Sequence, residues 1–123
     1  MRVLGFSKKW PKLQQDEFTT FRLTRLDRDW EWGERVQIVY HARSKDREVL
    51  GVADIIRKEQ VWIDDINDFE AQLDGFPDGA KEMIGWLNKA HDPARLDHEP
   101  LNKLTLRWVK NGSGQVYRKG GDV

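Results

Sequence analysis

The chain contains no cysteine. Disulfides, cysteine-held zinc, iron–sulfur clusters and a cysteine nucleophile are thereby excluded, and a cytoplasmic setting is the expectation. Long apolar runs are missing as well. The longest stretches free of Asp, Glu, Lys and Arg span seven residues, 36–42 and 111–117, whereas a membrane span needs about 20 apolar residues. The opening segment Met1–Phe6 is too short, and charged too early, for a signal peptide. No repeat of solenoid period and no low-complexity tract occurs. Walker, GxGxxG and nucleophile-elbow motifs are all absent. The three histidines, His41, His91 and His98, lack helical metal spacing. His91 and His98 flank Asp92 and Asp97 in a Pro-containing segment that reads as a solvated loop, so no metal and no cofactor is expected.

What is present suits one globular domain. The 123 residues are 38% hydrophobic with ten further glycines, an ordinary core-forming composition. Charged residues reach 34%, above the usual ~25%. The formal net charge of zero hides a basic–acidic–basic order. Residues 1–60 carry 13 Lys/Arg against 10 Asp/Glu, residues 61–100 carry 3 against 10, and residues 101–123 carry 5 against 1. Two faces of opposite potential follow from such a distribution. Six Trp, five Phe and two Tyr supply stacking surface, with Trp10, Trp30 and Trp32 beside charged residues.

Periodicity outlines the elements. Val3–Phe6 and Thr19–Leu23 read as strands. Lys8–Gln15 holds a short helix or turn interrupted by Pro11. Val36, Ile38 and Tyr40 alternate with polar residues, and Val49–Trp62 reads as a long strand with Gly51 a candidate bulge. A short helix is expected around Ile63–Leu73, a turn at Asp74-Gly75-Phe76-Pro77, and an amphipathic helix from Pro77 to Lys89 on Ala80, Met83, Ile84 and Leu87. Residues 93–100 read as loop. In Asn102–Val109, Leu104, Leu106 and Trp108 face inward and Lys103, Thr105 and Arg107 outward. Trp86 is also expected in the core. Asn111–Gly114 is a turn signal, with Gln115–Tyr117 pairing back. The predicted class is α+β: a small mixed β-barrel with two main helices inserted before the last long strand, over residues 1–110, followed by a Gly-rich turn and tail at 111–123.

Two stretches carry candidate chemistry. In Phe18–Arg25, Thr20, Arg22 and Thr24 share one strand face and Thr19, Phe21 and Leu23 the other. The first face is polar and cationic; Arg22 offers a planar fork suited to phosphate or carboxylate. Asp74, in the turn ahead of the helix, is placed to meet that face. Further cationic candidates are Lys8, Lys9, Lys12, Arg25, Arg28, Arg43, Lys45, Arg47, Lys103 and Arg107, with Trp10 as a stacking partner.

In order, Glu17-Phe18-Thr19-Thr20-Phe21-Arg22, Gly33-Glu34-Arg35-Val36, Leu50-Gly51-Val52-Ala53-Asp54-Ile55 and Asp74-Gly75-Phe76 resemble the ASCH domain, a PUA-like β-barrel family, over residues 3–109. The resemblance implies RNA binding. One branch of the family comprises amidohydrolases that deacylate N4-acetylcytidine with a Lys, a Thr and a Glu. Carried over by position, the Thr falls on Thr20, the family Arg on Arg22, the Glu on Asp74 and the motif Gly on Gln15. The Lys falls on Glu17, whose charge has the opposite sign, so the resemblance implies a binding protein without that activity unless Lys8, Lys9 or Lys12 supplies the amine. The expected function is a nucleic-acid module, RNA foremost, or a nucleotide-binding one, with Lys8, Lys9, Trp10, Thr20, Arg22, Arg25, Arg43, Lys45, Asp74 and Arg107 as its contacts. The alternative is a small amidohydrolase or nuclease acting on modified nucleosides or RNA, with Thr20 and Asp74 as catalytic candidates. A third reading is a protein-interaction adaptor docking through the acidic 61–100 face.

Overall fold

The computed structural model describes residues 1–110. The expected turn, return strand and tail at 111–123 lie outside the described residues. Five strands, β1 (Arg2–Phe6), β2 (Glu17–Arg22), β3 (Arg35–Tyr40), β4 (Glu48–Val61) and β5 (Leu101–Trp108), join three helices, α1 (Asp68–Asp74), α2 (Ala80–Ala90) and α3 (Pro93–His98). Single 3-10 turns occupy Pro11–Gln14 and Ile63–Asp65. The class is α+β, and the helices do precede the last long strand.

The strands form one mixed sheet in the order β1-β3-β4-β5-β2. β1 runs parallel to β3, and the other neighbours are antiparallel. β4 is the spine: its first half pairs with β3 and its second half with β5. Register shifts at Ile38/Val39, facing Gly51, and at Ile55/Arg57 bend and twist the long strand as bulges do. The sheet is open. β1 and β2 are its two edges and do not pair with each other, so the closed barrel expected from the element order is not what the strand pairing forms.

Alternation places the core. Val36 and Ile38 from β3, Ala53 and Ile55 from β4, and Leu104 and Leu106 from β5 are fully buried, and Trp108 is nearly so. The Trp108 indole N–H donates to the Leu13 carbonyl at 3.1 Å, giving this large side chain the partner a buried indole requires.

The helices start and stop for local reasons. Asn67 and Glu70 form a capping box at the start of α1, with bonds of 2.8 and 3.3 Å, satisfying two orphan N–H groups. α1 ends on Gly75 at φ +119°. A β-carbon there would also come within 2.7 Å of Trp10 Cε3, so both backbone and packing require glycine. α2 begins at Ala80 and not at Pro77, because Gly79 at φ +93° interrupts the chain between them. Residues 93–98 form α3 and not a loop. Pro93 occupies the first turn, where its missing N–H costs nothing, and Asp92 caps Ala94 N at 3.0 Å. Trp86 is 41% exposed: one side packs on Trp10 and Phe76 and the other meets solvent. Among the described residues no helix is long and apolar enough to cross a membrane.

Candidate functional site at an open strand seam

A cavity of ≈ 290 Å³ is lined by Gly5, Phe6 and Ser7 on one side and by Thr20, Phe21 and Arg22 on the other. Gly5 and Phe6 end β1 and Thr20–Arg22 end β2, the two edge strands of the sheet, so the cavity lies in the seam between these two strands. Trp10 and Lys12 close it from the Pro11–Gln14 turn, Asp74 and Phe76 from the end of α1, and Trp86 and His91 from α2 and its cap.

The charged centre is a buried ion pair. Lys12 Nζ donates to Asp74 Oδ1 at 2.8 Å, with side-chain exposures of 5% and 9%. Thr19 Oγ1 reaches the same oxygen at 3.4 Å. Burial lowers the Lys12 pKa and raises that of Asp74, and each partner opposes the shift of the other.

Arg22 stands beside this pair. Its Nε donates to Thr20 Oγ1 at 3.0 Å, and its guanidinium lies 4.7 Å over the Phe6 ring. Burial brings its pKa down to about 10 against the pull of Asp74. Arg22 forms no ion pair with Asp74, whose Oδ1 accepts from Lys12. The terminal nitrogens of Arg22 are left for a ligand or water. His91, expected in a solvated loop, caps α2 through its backbone N–H to Leu87 O at 3.0 Å and borders the cavity. Burial, with Arg22 and Arg95 nearby, lowers its pKa.

The structure places Thr20, Arg22 and Asp74 around one cavity, which Trp10 also lines. Thr20, however, is 4% exposed on a face it shares with buried Phe18, so the face is interior and not a solvated strand surface. Arg22, Arg25 and Arg43 line a second, wider cleft. The remaining candidates sit apart. Lys8 lies 4.5 Å over the Trp10 ring, Lys9 pairs with Glu48 at 2.7 Å, and Lys45 is exposed in the β3–β4 loop. Arg107 pairs with Glu17 at 2.8 Å on an exposed surface. Glu17 thus engages Arg107, and the amine that borders the cavity is that of Lys12. Trp10-Pro11-Lys12-Leu13, a lysine between large apolar residues, was the signal for it. His91 and Trp86 carried no such local signal.

The chain matches no protein-family model, no curated protein and no solved structure. Among the described residues no group of three or more His, Cys, Asp or Glu side chains could hold a metal ion.

Proposed function

We propose that the protein is a nucleic-acid or nucleotide-binding module, RNA foremost, whose seam cavity takes a base. The observation that carries this reading is the cavity between two unpaired strand edges. Edge strands present backbone N–H and C=O groups in alternation, the pattern needed to meet the hydrogen-bonding edge of a base. Trp10, Phe76 and the half-exposed Trp86 supply aromatic surface, on which bases stack. Arg22 adds N–H donors, and the Lys12–Asp74 pair offers both a donor and an acceptor. On this reading the fold is a PUA-like, ASCH-type barrel left open where its ligand enters.

The test is titration of short single-stranded RNA and of nucleosides, followed by tryptophan fluorescence and calorimetry at low salt. Trp86→Ala is expected to weaken binding by about tenfold or more, the loss of one stacking partner at ~1–3 kcal/mol. Unchanged affinity in that variant, or no binding by the unaltered protein, refutes the reading.

A second reading is favoured by one observation: Lys12, Thr20 and Asp74 border a single cavity. An amine, a hydroxyl and a carboxylate together could serve amide hydrolysis on a modified nucleoside, with Lys12 in the part that Glu17 cannot play. Turnover of N4-acetylcytidine that disappears in Lys12→Met would establish it. Background turnover by the unaltered protein leaves the binding module alone.

A further inference from the structure

Arg22 is a wall shared by two spaces. On one side lies the seam; on the other is an open cleft of ≈ 810 Å³, also lined by Arg25, Arg43 and Arg47. The β3–β4 loop builds this cleft by folding back on β1. His41 adopts φ +49°, a left-handed conformation that is unfavourable away from glycine. It is held there by His41 N donating to Phe6 O at 2.9 Å, by its ring Nε2 at 3.1 Å from Ser7 O, and by stacking on Tyr40 at 3.9 Å. Gly5 lets the loop lie close, since a β-carbon there would stand 3.3 Å from that of Ala42.

The arginines of this cleft differ from the rest. Arg2, Arg28, Arg35, Arg57, Arg95 and Arg107 each form an ion pair with a carboxylate, and within the cleft Arg25 is forked by Asp27. Among the described residues the arginines without an ion-pair partner are Arg22, Arg43 and Arg47, and all three line the same cleft. Arg47 reaches only the Ala42 carbonyl, at 3.5 Å. One carboxylate, Asp46, faces them. Arg43 and Arg47 come from the β3–β4 loop and Arg22 from β2, so two separate elements bring unmatched arginines to one cleft. A carboxylate ligand is saturated by one guanidinium fork, whereas a phosphate offers oxygens to several.

We propose that this cleft is the phosphate subsite of the ligand whose base occupies the seam, so that the ligand is a phosphorylated nucleoside, as a nucleotide or within an RNA strand, and not a free base or nucleoside. The proposal rests on the base-binding reading of the seam, with Arg22 contributing to both parts.

Calorimetry at low salt would compare the four ribonucleosides, their 5′-monophosphates, 5′-hydroxyl RNA trinucleotides and pyrophosphate. The proteins are the unaltered chain, the double variant Arg43→Gln/Arg47→Gln and, as a charge control, Arg57→Ala. A phosphorylated ligand is expected to bind at least about tenfold more tightly than its nucleoside, through one or more charge-assisted hydrogen bonds. The double variant is expected to erase that advantage, with nucleoside affinity unchanged and the Arg57 variant like the unaltered chain. An advantage confined to monophosphates assigns nucleotides; a larger one in trinucleotides, with a salt slope reduced by about one per lost phosphate contact, assigns RNA. If nucleosides bind as well as phosphates, or if the advantage survives the double variant, the phosphate subsite is overturned and the seam reading stands. Arginine-dependent pyrophosphate binding with no gain from an attached nucleoside overturns the seam reading and the nucleotide assignment with it.

Discussion

Replacing Lys12 with Met tests the centre of the site. The ammonium and its partner are almost fully enclosed, at 2.8 Å with side-chain exposures of 5% and 9%. Without it the Asp74 carboxylate keeps Thr19 Oγ1 at 3.4 Å as its hydrogen-bond partner. Removing one member of a buried pair typically costs ~3–5 kcal/mol, because the remaining charge is left desolvated. Asp74 has one escape, which is to take up a proton. In the folded protein its pKa already lies above the ordinary 3.8, and loss of Lys12, its largest favourable partner, raises it further. A folded-state carboxyl with a raised pKa binds more protons than the unfolded chain between the two values, so stability falls as pH rises through that window. The slope reaches at most ~1.4 kcal/mol per pH unit. The Lys12→Met penalty is therefore expected to be larger at pH 7.5 than at pH 5.

Urea unfolding followed by tryptophan fluorescence reads this at both pH values. The double variant Lys12→Met/Asp74→Leu supplies the control. Swapping a whole buried pair for apolar side chains is often neutral or stabilising, so it should recover most of the loss. A single variant that loses less than ~1 kcal/mol would refute the reasoning, since breaking a buried pair costs several times that. An equal penalty at both pH values, or a double variant no better than the single, would refute it too.

Three further outcomes are expected from the same measurement. Gly75→Ala should destabilise by about 2–3 kcal/mol, combining left-handed strain with displacement of Trp10, whose Cε3 stands 2.7 Å from the new β-carbon; a change within ~0.5 kcal/mol, typical of a neutral surface site, would contradict this. Asp29→Ala should cost about 2–3 kcal/mol, because Asp29 accepts from Arg25 N, Lys58 Nζ and fully buried Asn102 Nδ2 at 3.1, 2.9 and 2.8 Å; an unchanged midpoint would show that the network is dispensable. His91, whose folded pKa is depressed, lets the unfolded chain take up a proton first as pH falls below about 6.5; stability should drop from pH 7.5 to pH 5, less steeply in His91→Gln, and parallel pH profiles would exclude His91 as the cause.

Elements whose signal is local were legible in the sequence. β3 and β5 announce themselves by alternation, and Leu104, Leu106 and Trp108 face inward as that alternation requires. α3 is hidden because a short segment bounded by Pro93 and Pro100 carries the composition of a loop, although proline in the first helical turn, behind a capping Asp, starts a helix as readily as it ends one. The openness of the sheet could not be read, because whether β1 meets β2 depends on the coiling of β4 and not on any feature of β1 or β2. The burial of Lys12 was missed for a related reason. A lysine enters a core only where a partner waits, and Asp74 lies 62 residues away in the chain. Trp86 falls on an amphipathic stripe, yet it sits at that stripe's edge, where the cavity mouth replaces packed protein.

An apolar pair at positions 12 and 74 would be at least as stable as the ion pair, and a paired β1–β2 seam would remove two strand edges. The fold keeps neither solution. Instead it places a desolvated ammonium and carboxylate, an arginine with spare donors and two unpaired strand edges around one cavity of ≈ 290 Å³. Each becomes favourable once a ligand supplies a flat aromatic face, a hydrogen-bonding edge and negative charge. Binding should therefore stabilise the protein in proportion to ligand excess over the dissociation constant, by about 2.7 kcal/mol at a hundredfold excess. A base-containing ligand that occupies the seam without raising the unfolding midpoint would show that these features are balanced within the empty protein, and that the cavity is not where its stability was given up for function.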